Sequence, residues 1–369
     1  MVPFVDLKAQ YQNIKDEIDK TVSDCIAESN FIRGKAVGKF EKDFADYLGV
    51  EFCSGCANGT DAIEIILASL NIGSGDEVLV PALTWIATAE AVNNVGAEPV
   101  FVDVDPETFT IDPTRIEEKI TSKTRAIIPV HLYGCPADMN TILKIAQKYG
   151  LFVVEDCAQA HGAEYHGKKI GSFGIASSFS FFPSKNLGAF GDAGSIVTSD
   201  RNLYETACKI SNHGQLKIKH EHYRTGRNSR LDTLQAAVLG VKLPYLNKWN
   251  EQRIHAAEYY SLLLSDNKEI ILPVVLPERK HVFHLFVIRL KNRNKLIELF
   301  EKKDIQFGIH YPKPLPFLEA YKYKKHVPGD FPVAVSLTGE ILSLPVFPEI
   351  TENQIGEVCN LIKSRNVGL

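Results

Sequence analysis

The chain carries only two tryptophans and two methionines, and no apolar run in it approaches the ~20 residues that a bilayer span requires. Its N-terminus, Met1-Val2-Pro3-Phe4-Val5-Asp6-Leu7-Lys8, has no basic region followed by a long apolar one, so no signal peptide is expected. Neither sign of charge dominates. Lys and Arg total 41 against 45 Asp and Glu, a net charge of −4, which argues against a general nucleic-acid binder with its basic face. The seven cysteines form no regular framework and are odd in number, so a disulfide scaffold is not expected. Reduced cysteines and the missing signal point to the cytoplasm, with no membrane partner. The one C-x-x-C, Cys53-Ser54-Gly55-Cys56, has no second pair and no suitably spaced histidines, so no metal site is expected. No G-x-G-x-x-G lies between an early strand and helix, which weighs against a dinucleotide-dependent oxidoreductase. Repeats, low-complexity tracts and charged tails are also missing.

What is present is an ordinary globular composition, 45% hydrophobic and 23% charged over 369 residues, enough for a large core and two domains. From about Gly55 to Thr198, short β-rich runs alternate with helical patterns. Strands are expected at Glu77-Val80, Pro99-Val104, Ala126-Val130, Phe152-Glu155, Ser177-Phe181 and Ser195-Thr198. Most are continuous apolar runs, as for strands covered on both faces. Ile63, Ile66, Leu67 and Leu70 share a helical face. So do Met139, Ile142, Leu143 and Ala146, with Asp138 as cap and Gly150 as stop. The alternation predicts an α/β domain around a mostly parallel sheet. After Arg230 the texture changes. A helical pattern from about Thr233 to Leu264 breaks at Pro244. A strand at Phe283-Leu290, a helix near Asn294-Lys303, a short strand Gln306-Ile309 and a final helix Glu352-Lys363 follow, with prolines 312, 314 and 316 between. The expected division is residues 1–240, a large α/β domain, and residues 241–369, a smaller α+β domain on which the N-terminal segment can pack.

Two stretches carry chemistry. Leu151-Phe152-Val153-Val154-Glu155-Asp156 ends an apolar strand on a carboxylate. Phe179-Ser180-Phe181-Phe182-Pro183-Ser184-Lys185-Asn186-Leu187-Gly188 runs an aromatic strand into a turn holding one lysine. Parallel strands present their carboxyl ends on one edge of the sheet, where ligands bind. If both strands belong to one sheet, Asp156 and Lys185 can face the same pocket. A lysine for a Schiff base and an acid for a pyridinium nitrogen are what a protein contributes to pyridoxal phosphate chemistry. The plain alternatives are a solvated turn lysine and a helix-capping aspartate. Desolvation would lower the lysine pKa and free its amine to attack an aldehyde. Gln159 could bond a ring oxygen. Gly59 and Thr60, in Asn58-Gly59-Thr60-Asp61, open a helix whose N-terminus suits a phosphate or an ordinary cap. Ser180 could add a hydroxyl to that phosphate, and Trp85 could stack on a flat ring or pack in the core.

The chain resembles the sugar aminotransferases of the DegT/DnrJ/EryC1/StrS group, over nearly its whole length. The resemblance rests on Pro3-Phe4-Val5-Asp6-Leu7, Cys56-Ala57-Asn58-Gly59-Thr60-Asp61-Ala62, Val130-His131-Leu132-Tyr133-Gly134 and Glu155-Asp156-Cys157-Ala158-Gln159. It continues through Phe182-Pro183-Ser184-Lys185-Asn186-Leu187-Gly188, Gly191-Asp192-Ala193-Gly194 and Asn228-Ser229-Arg230-Leu231-Asp232. It implies the fold-type-I architecture, with a mostly parallel seven-stranded sheet between helices. It implies pyridoxal 5'-phosphate as cofactor, with pyridoxamine phosphate as its alternate form. Lys185 is then the Schiff-base lysine and Asp156 the partner of the pyridinium nitrogen. Gln159 is implied at the ring oxygen, Trp85 on the ring face, and Gly59, Thr60 and Ser180 at the phosphate. Asn228 would reach the phosphate in the partner subunit of a homodimer with shared active sites. His310, Tyr311 and Arg230 fall near the sugar. Lysine at 185, where some relatives carry histidine, favours transamination over dehydration. The implied substrates are L-glutamate and a nucleotide-linked keto-sugar. The segment His310-Tyr311-Pro312-Lys313-Pro314 resembles enzymes that aminate C3, with dTDP-linked 6-deoxy sugars, UDP-linked N-acetylated sugars or uronates, and a 4-keto alternative all open. A catalytically silent, cofactor-binding sensor is the competing class.

Overall fold

The computed structural model describes residues 1–216, 218 and 220–364. Helices α1 (Leu7–Asn13), α2 (Lys15–Glu28) and α3 (Lys35–Leu48) lead into β1 (Phe52–Cys56), and α4 (Gly59–Ser69) and α5 (Ala87–Asn94) flank β2 (Glu77–Pro81). Then follow β3 (Glu98–Val102), β4 (Thr124–Ile127), α6 (Met139–Tyr149) and β5 (Phe152–Asp156). After the short strands β6 (Glu164–Tyr165) and β7 (Lys168–Lys169) come β8 (Ala176–Ser180), β9 (Gly194–Thr198) and α7 (Arg201–Ser211). The sheet has seven strands in the order β1-β9-β8-β5-β4-β2-β3. Only β9 runs against the rest, pairing antiparallel with both β8 and β1. The sheet is therefore mixed and mostly parallel.

Alternation along the strands explains its two covered faces. Val78 and Val80 pack in a core with Ile63, Ile66, Leu67 and Val92 from α4 and α5, while Leu79 between them packs with Phe40 and Phe44 of α3 and Ile142 of α6. Local signals fix the helix ends. Asp138 Oδ1 accepts the Thr141 N–H at 3.2 Å to open α6, and Gly150 closes it at φ +66°.

Beyond α8 (Thr233–Lys242), a tight turn at Leu243–Tyr245 admits Pro244, and α9 (Leu246–Leu264) continues. The strands β10 (Ile270–Ile271), β11 (Arg279–Lys280) and β12 (Phe286–Leu290) precede α10 (Arg293–Lys302), α11 (Pro332–Glu340), β13 (Ile341–Leu344) and α12 (Glu352–Ser364). A three-stranded antiparallel sheet, β10-β12-β13, shares a core with α9, α10 and α12 that includes Tyr260, Phe286, Phe300 and Ile355. Val2 belongs to that core and pairs with Ile305. Among the ties that join this part to the large sheet is the ribbon of β11, β6 and β7. Another is buried Asp103, whose carboxylate accepts the N–H groups of Val333 and Ala334 at the start of α11, both at 2.9 Å.

Strand limits shift by one to three residues, and four readings need larger correction. The seventh strand is Phe52–Cys56, which is not among the six strands expected from the sequence. Phe283 at φ +43° delays the strand expected from that residue until Phe286. Residues 306–309 form no strand; they are held by single bridges, Val2 to Ile305 and Gly308 to Ser343. The strand that completes the small sheet, β13, was not foreseen. Cys53 and Cys56 fall on opposite faces of β1, one in each core of the large sheet, so they share no ligand and form no bond.

Candidate active site

The carboxyl edge of the parallel strands gathers the chemistry. β5 ends at Asp156, β8 ends at Ser180 and feeds the Lys185 turn, and the segment after β2 carries Thr84 and Trp85. The loop after β1 opens α4 at Gly59. These groups line one cavity of about 440 Å³, closed from the other side by His284, His310 and Tyr311. Nine residues singled out from the sequence meet there: Gly59, Thr60, Trp85, Asp156, Gln159, Ser180, Lys185, His310 and Tyr311. Asn228 and Arg230 do not. Asn228 bridges to Asn212, and Arg230 Nη1 donates to Asn212 Oδ1 at 3.3 Å, beside a second cavity of about 390 Å³ lined by Arg33, Glu41 and Ser211.

At one end the cavity offers a phosphate cradle. Asn58 Oδ1 accepts the Asp61 N–H at 2.8 Å, and the Gly59 and Thr60 N–H groups have no partner within the helix. The backbone here is packed too tightly for side chains. A Cβ at Gly59 would come within 2.8 Å of Ser180 Cβ, and one at Gly194 within 2.4 Å of the Asn58 carbonyl carbon. Ser180 Oγ accepts the Phe182 N–H at 3.4 Å, leaving its proton free to donate.

Asp156 is buried and aimed. Thr88 Oγ1 donates to its Oδ2 at 2.8 Å, and the Ala158 N–H donates to its Oδ1 at 3.1 Å. Desolvation pushes the Lys185 amine down to about 8, against the pull of the Asp156 carboxylate. The same desolvation, aided by the positive Lys185, lowers His310 to about 4 and holds His284 well below its ordinary value. Both rings are therefore neutral at pH 7. Gln159 is oriented by the Tyr133 N–H, which donates to its Oε1 at 2.7 Å, so its Nε2 faces inward and donates to Tyr311 Oη at 3.2 Å. Tyr133 Oη donates to the His310 carbonyl, and His310 Nδ1 meets Ser343 Oγ at 2.8 Å. Trp85 and Phe182 remain 57% and 51% exposed, with Trp85 tilted against Tyr311 at 5.5 Å. An anion cradle, a flat stacking face, a fixed carboxylate and a desolvated lysine together fit a phosphorylated pyridine aldehyde.

Sequence reading missed Thr88 and His284, which reach the site from distant positions and carry no motif. It also passed over His131 and Glu155 as a pair. His131 Nε2 lies 3.2 Å from Glu155 Oε2, and the same carboxylate accepts the N–H groups of Gly171, Phe173 and Gly174 at 2.7–2.8 Å. His131 Nδ1 accepts the Ala137 N–H at 3.0 Å. Cys157 lies close enough to these two to suggest a metal trio. His131 Nδ1 and both Glu155 oxygens are already taken by backbone N–H groups and His131 Nε2 by Glu155, so the pair braces the strand end behind Asp156.

A family model described as "DegT/DnrJ/EryC1/StrS aminotransferase family" matches residues 12–363. The chain is 45% identical to a "Pleiotropic regulatory protein" of Geobacillus stearothermophilus, over 96% of this chain and 95% of that one. It is 44% identical to the UDP-N-acetyl-3-dehydro-alpha-D-glucosamine 3-aminotransferase of Acidithiobacillus ferrooxidans, covering 98% and 97%. It is equally 44% identical to the dTDP-3-amino-3,6-dideoxy-alpha-D-galactopyranose transaminase of Aneurinibacillus thermoaerophilus, covering 98% and 99%. Among solved structures, S. venezuelae DesV in complex with a ketimine intermediate superposes with a TM-score of 0.96 at 40% identity, covering 98% of each chain.

Proposed function

The chain belongs to the DegT/DnrJ/EryC1/StrS aminotransferase family, and from that premise we propose that it moves an amino group from L-glutamate to C3 of a keto-sugar carried on a nucleoside diphosphate. It is a pyridoxal phosphate-dependent sugar aminotransferase; the reaction position and the donor are our reading. The observation that supports it most is the meeting of Lys185, Asp156 and the α4 N-terminus in one cavity. The relatives named for 3-amino products, one on UDP and one on dTDP, support C3. A dTDP-linked 3-keto-6-deoxyhexose is our preferred acceptor, with UDP-linked 3-keto sugars next.

When bound, the cofactor supplies an aldehyde for amine exchange and a ring that withdraws electrons. In this reading Gly59, Thr60 and Ser180 bind its phosphate and Trp85 covers its ring. Asp156 keeps the ring nitrogen protonated, because a fixed anion favours the charged form of its neighbour. Gln159 Nε2 donates to the ring oxygen. Lys185 Nζ, freed when the donor amine takes its place, accepts the proton from the donor α-carbon; an amine whose pKa stands near 8 suits that work. His310 and Tyr311 border the sugar.

We propose a homodimer in which Asn228 completes the partner's phosphate site. Its place outside this chain's own cavity supports this, as do the exposed side chains of Phe31, Ile32, Phe182 and Phe190. We also propose the division at residue 240, supported by the core that α9, α10 and α12 share with the small sheet, and a cytoplasmic location. Among the described residues no helix is long and apolar enough to cross a membrane.

The deciding experiment is the visible absorption spectrum before and after L-glutamate, followed by a panel of keto-sugars. A yellow protein that glutamate bleaches and a 3-keto sugar restores is expected. A protein that stays colourless with added pyridoxal phosphate overturns the reading, and activity confined to a 4-keto sugar overturns C3. Bound cofactor without transfer to any sugar would instead favour the regulatory role in the Geobacillus relative's name. The Lys185→Ala variant is expected to lose turnover.

A further inference from the structure

Behind Lys185 runs a chain of side-chain amides whose direction is fixed. The His161 carbonyl can only accept, and Asn250 Nδ2 donates to it at 2.7 Å. Asn250 therefore turns its Oδ1 toward Asn186, whose Nδ2 donates to it at 2.8 Å and to the Val282 carbonyl at 3.2 Å. Asn186 in turn presents its Oδ1 to His284 Nδ1 at 3.1 Å. An amide oxygen cannot donate, so Nδ1 of His284 must carry the proton. All four residues are buried: His161 at 0%, Asn250 at 1%, Asn186 at 2% and His284 at 8% exposure. The other ring nitrogen, Nε2, is left without a proton, and His284 lines the cavity that holds Lys185.

We propose that Asn186 is a positioning residue that sets the tautomer of His284, and that His284 Nε2 is the acceptor that holds the freed Lys185 amine. Every lysine N–H is a donor, so an unprotonated imidazole is the complementary wall. By accepting one N–H it turns the amine lone pair away from itself, toward the cavity. The titratable groups around His284 are Lys185 on its turn, Arg253 on α9, and the neutral rings of His310 and His161 on their own segments. None of these is an anion, so none favours a protonated ring. Asn186 adjoins Lys185 in sequence and ties its turn to α9 and to the segment before β12. The lysine is thereby set by the same bonds that set its acceptor. The inference rests on the proposed function for what the amine does, but the tautomer is independent of that.

The test is a long-range nitrogen–proton correlation spectrum of the cofactor-free protein with ¹⁵N-labelled histidine, the His284 signals being assigned by their loss in His284→Gln. The wild type is expected to show a neutral ring protonated at Nδ1 from about pH 6 to 8, the range in which an ordinary histidine titrates. Asn186→Leu should populate the Nε2–H form. Asn186→Asp supplies an anion and should raise the His284 pKa by one unit or more. In the holoenzyme, single-turnover rates with L-glutamate in Asn186→Asp should fall on the acid side, with a limb at least one pH unit above that of the wild type. A wild-type ring protonated at Nε2 overturns the proposal, as does an unshifted limb in Asn186→Asp. If neither variant folds, the wild-type spectrum alone decides. If the protein binds no cofactor, the function fails while the tautomer can still be read.

Discussion

Asp156 shows how much of a functional carboxylate's behaviour is set by a neighbour. Its two oxygens are held by Thr88 and by the Ala158 N–H. Thr88→Val keeps the shape and removes one bond to a charged group, a loss of about 1.5–3 kcal/mol. The expected outcome is a cofactor dissociation constant raised about tenfold or more, measured by fluorescence titration of the cofactor-free protein. Lys185 gives a second prediction. Only the neutral amine attacks an aldehyde, and its pKa stands near 8. Uptake of pyridoxal phosphate by the cofactor-free protein should speed up with pH until about 8 and level off above it, followed by stopped-flow absorbance. A rate still climbing tenfold per unit at pH 10 would contradict the burial of this lysine. Lys185, Asp156 and Gln159 were legible in the sequence because each stands at the end of an apolar strand or in the turn after it. Thr88 was not, because it reaches Asp156 across 68 residues and lies among small helical residues.

The helix that begins at Gly59 has two separable jobs, to be capped and to present bare N–H groups. Asn58→Ala removes the cap and should cost about 1 kcal/mol of stability. Gly59→Ala places a methyl 2.8 Å from Ser180 Cβ and should cost about 1–3 kcal/mol through overpacking. Urea denaturation of the cofactor-free variants separates the two, and the glycine variant should also bind inorganic phosphate more weakly. Elements with strong periodicity were legible: the apolar parallel strands, and α6 with its cap and stop. β1 was not, since Cys53-Ser54-Gly55-Cys56 lacks the branched and aromatic residues that mark a strand. β13 follows α11 with no turn residues between them, so nothing local announces it.

At the scale of the molecule, several buried polar ties hold the large sheet to the C-terminal part of the chain, and Asp103 makes one of them. It accepts two N–H groups from α11 across more than 200 positions of sequence. Asp103→Ala strands those buried donors and should lower the unfolding free energy by about 3 kcal/mol, read as a lower urea midpoint. The division into two parts was expected from the change of texture after Arg230. Packing of the N-terminal segment on the second part was expected too, but the particular pairing of Val2 with Ile305 and the capping of α11 by Asp103 were not, because only the folded chain brings those residues together.

The first strand of the sheet is also its edge, and it pairs only with β9, from Phe52 opposite Thr198 to Cys56 opposite Gly194. The cradle at Asn58 and Gly59 is built against that pairing. A chain emerging from the ribosome therefore cannot assemble it until Thr198 has left the exit tunnel, although every N–H group that would hold the phosphate was synthesised long before.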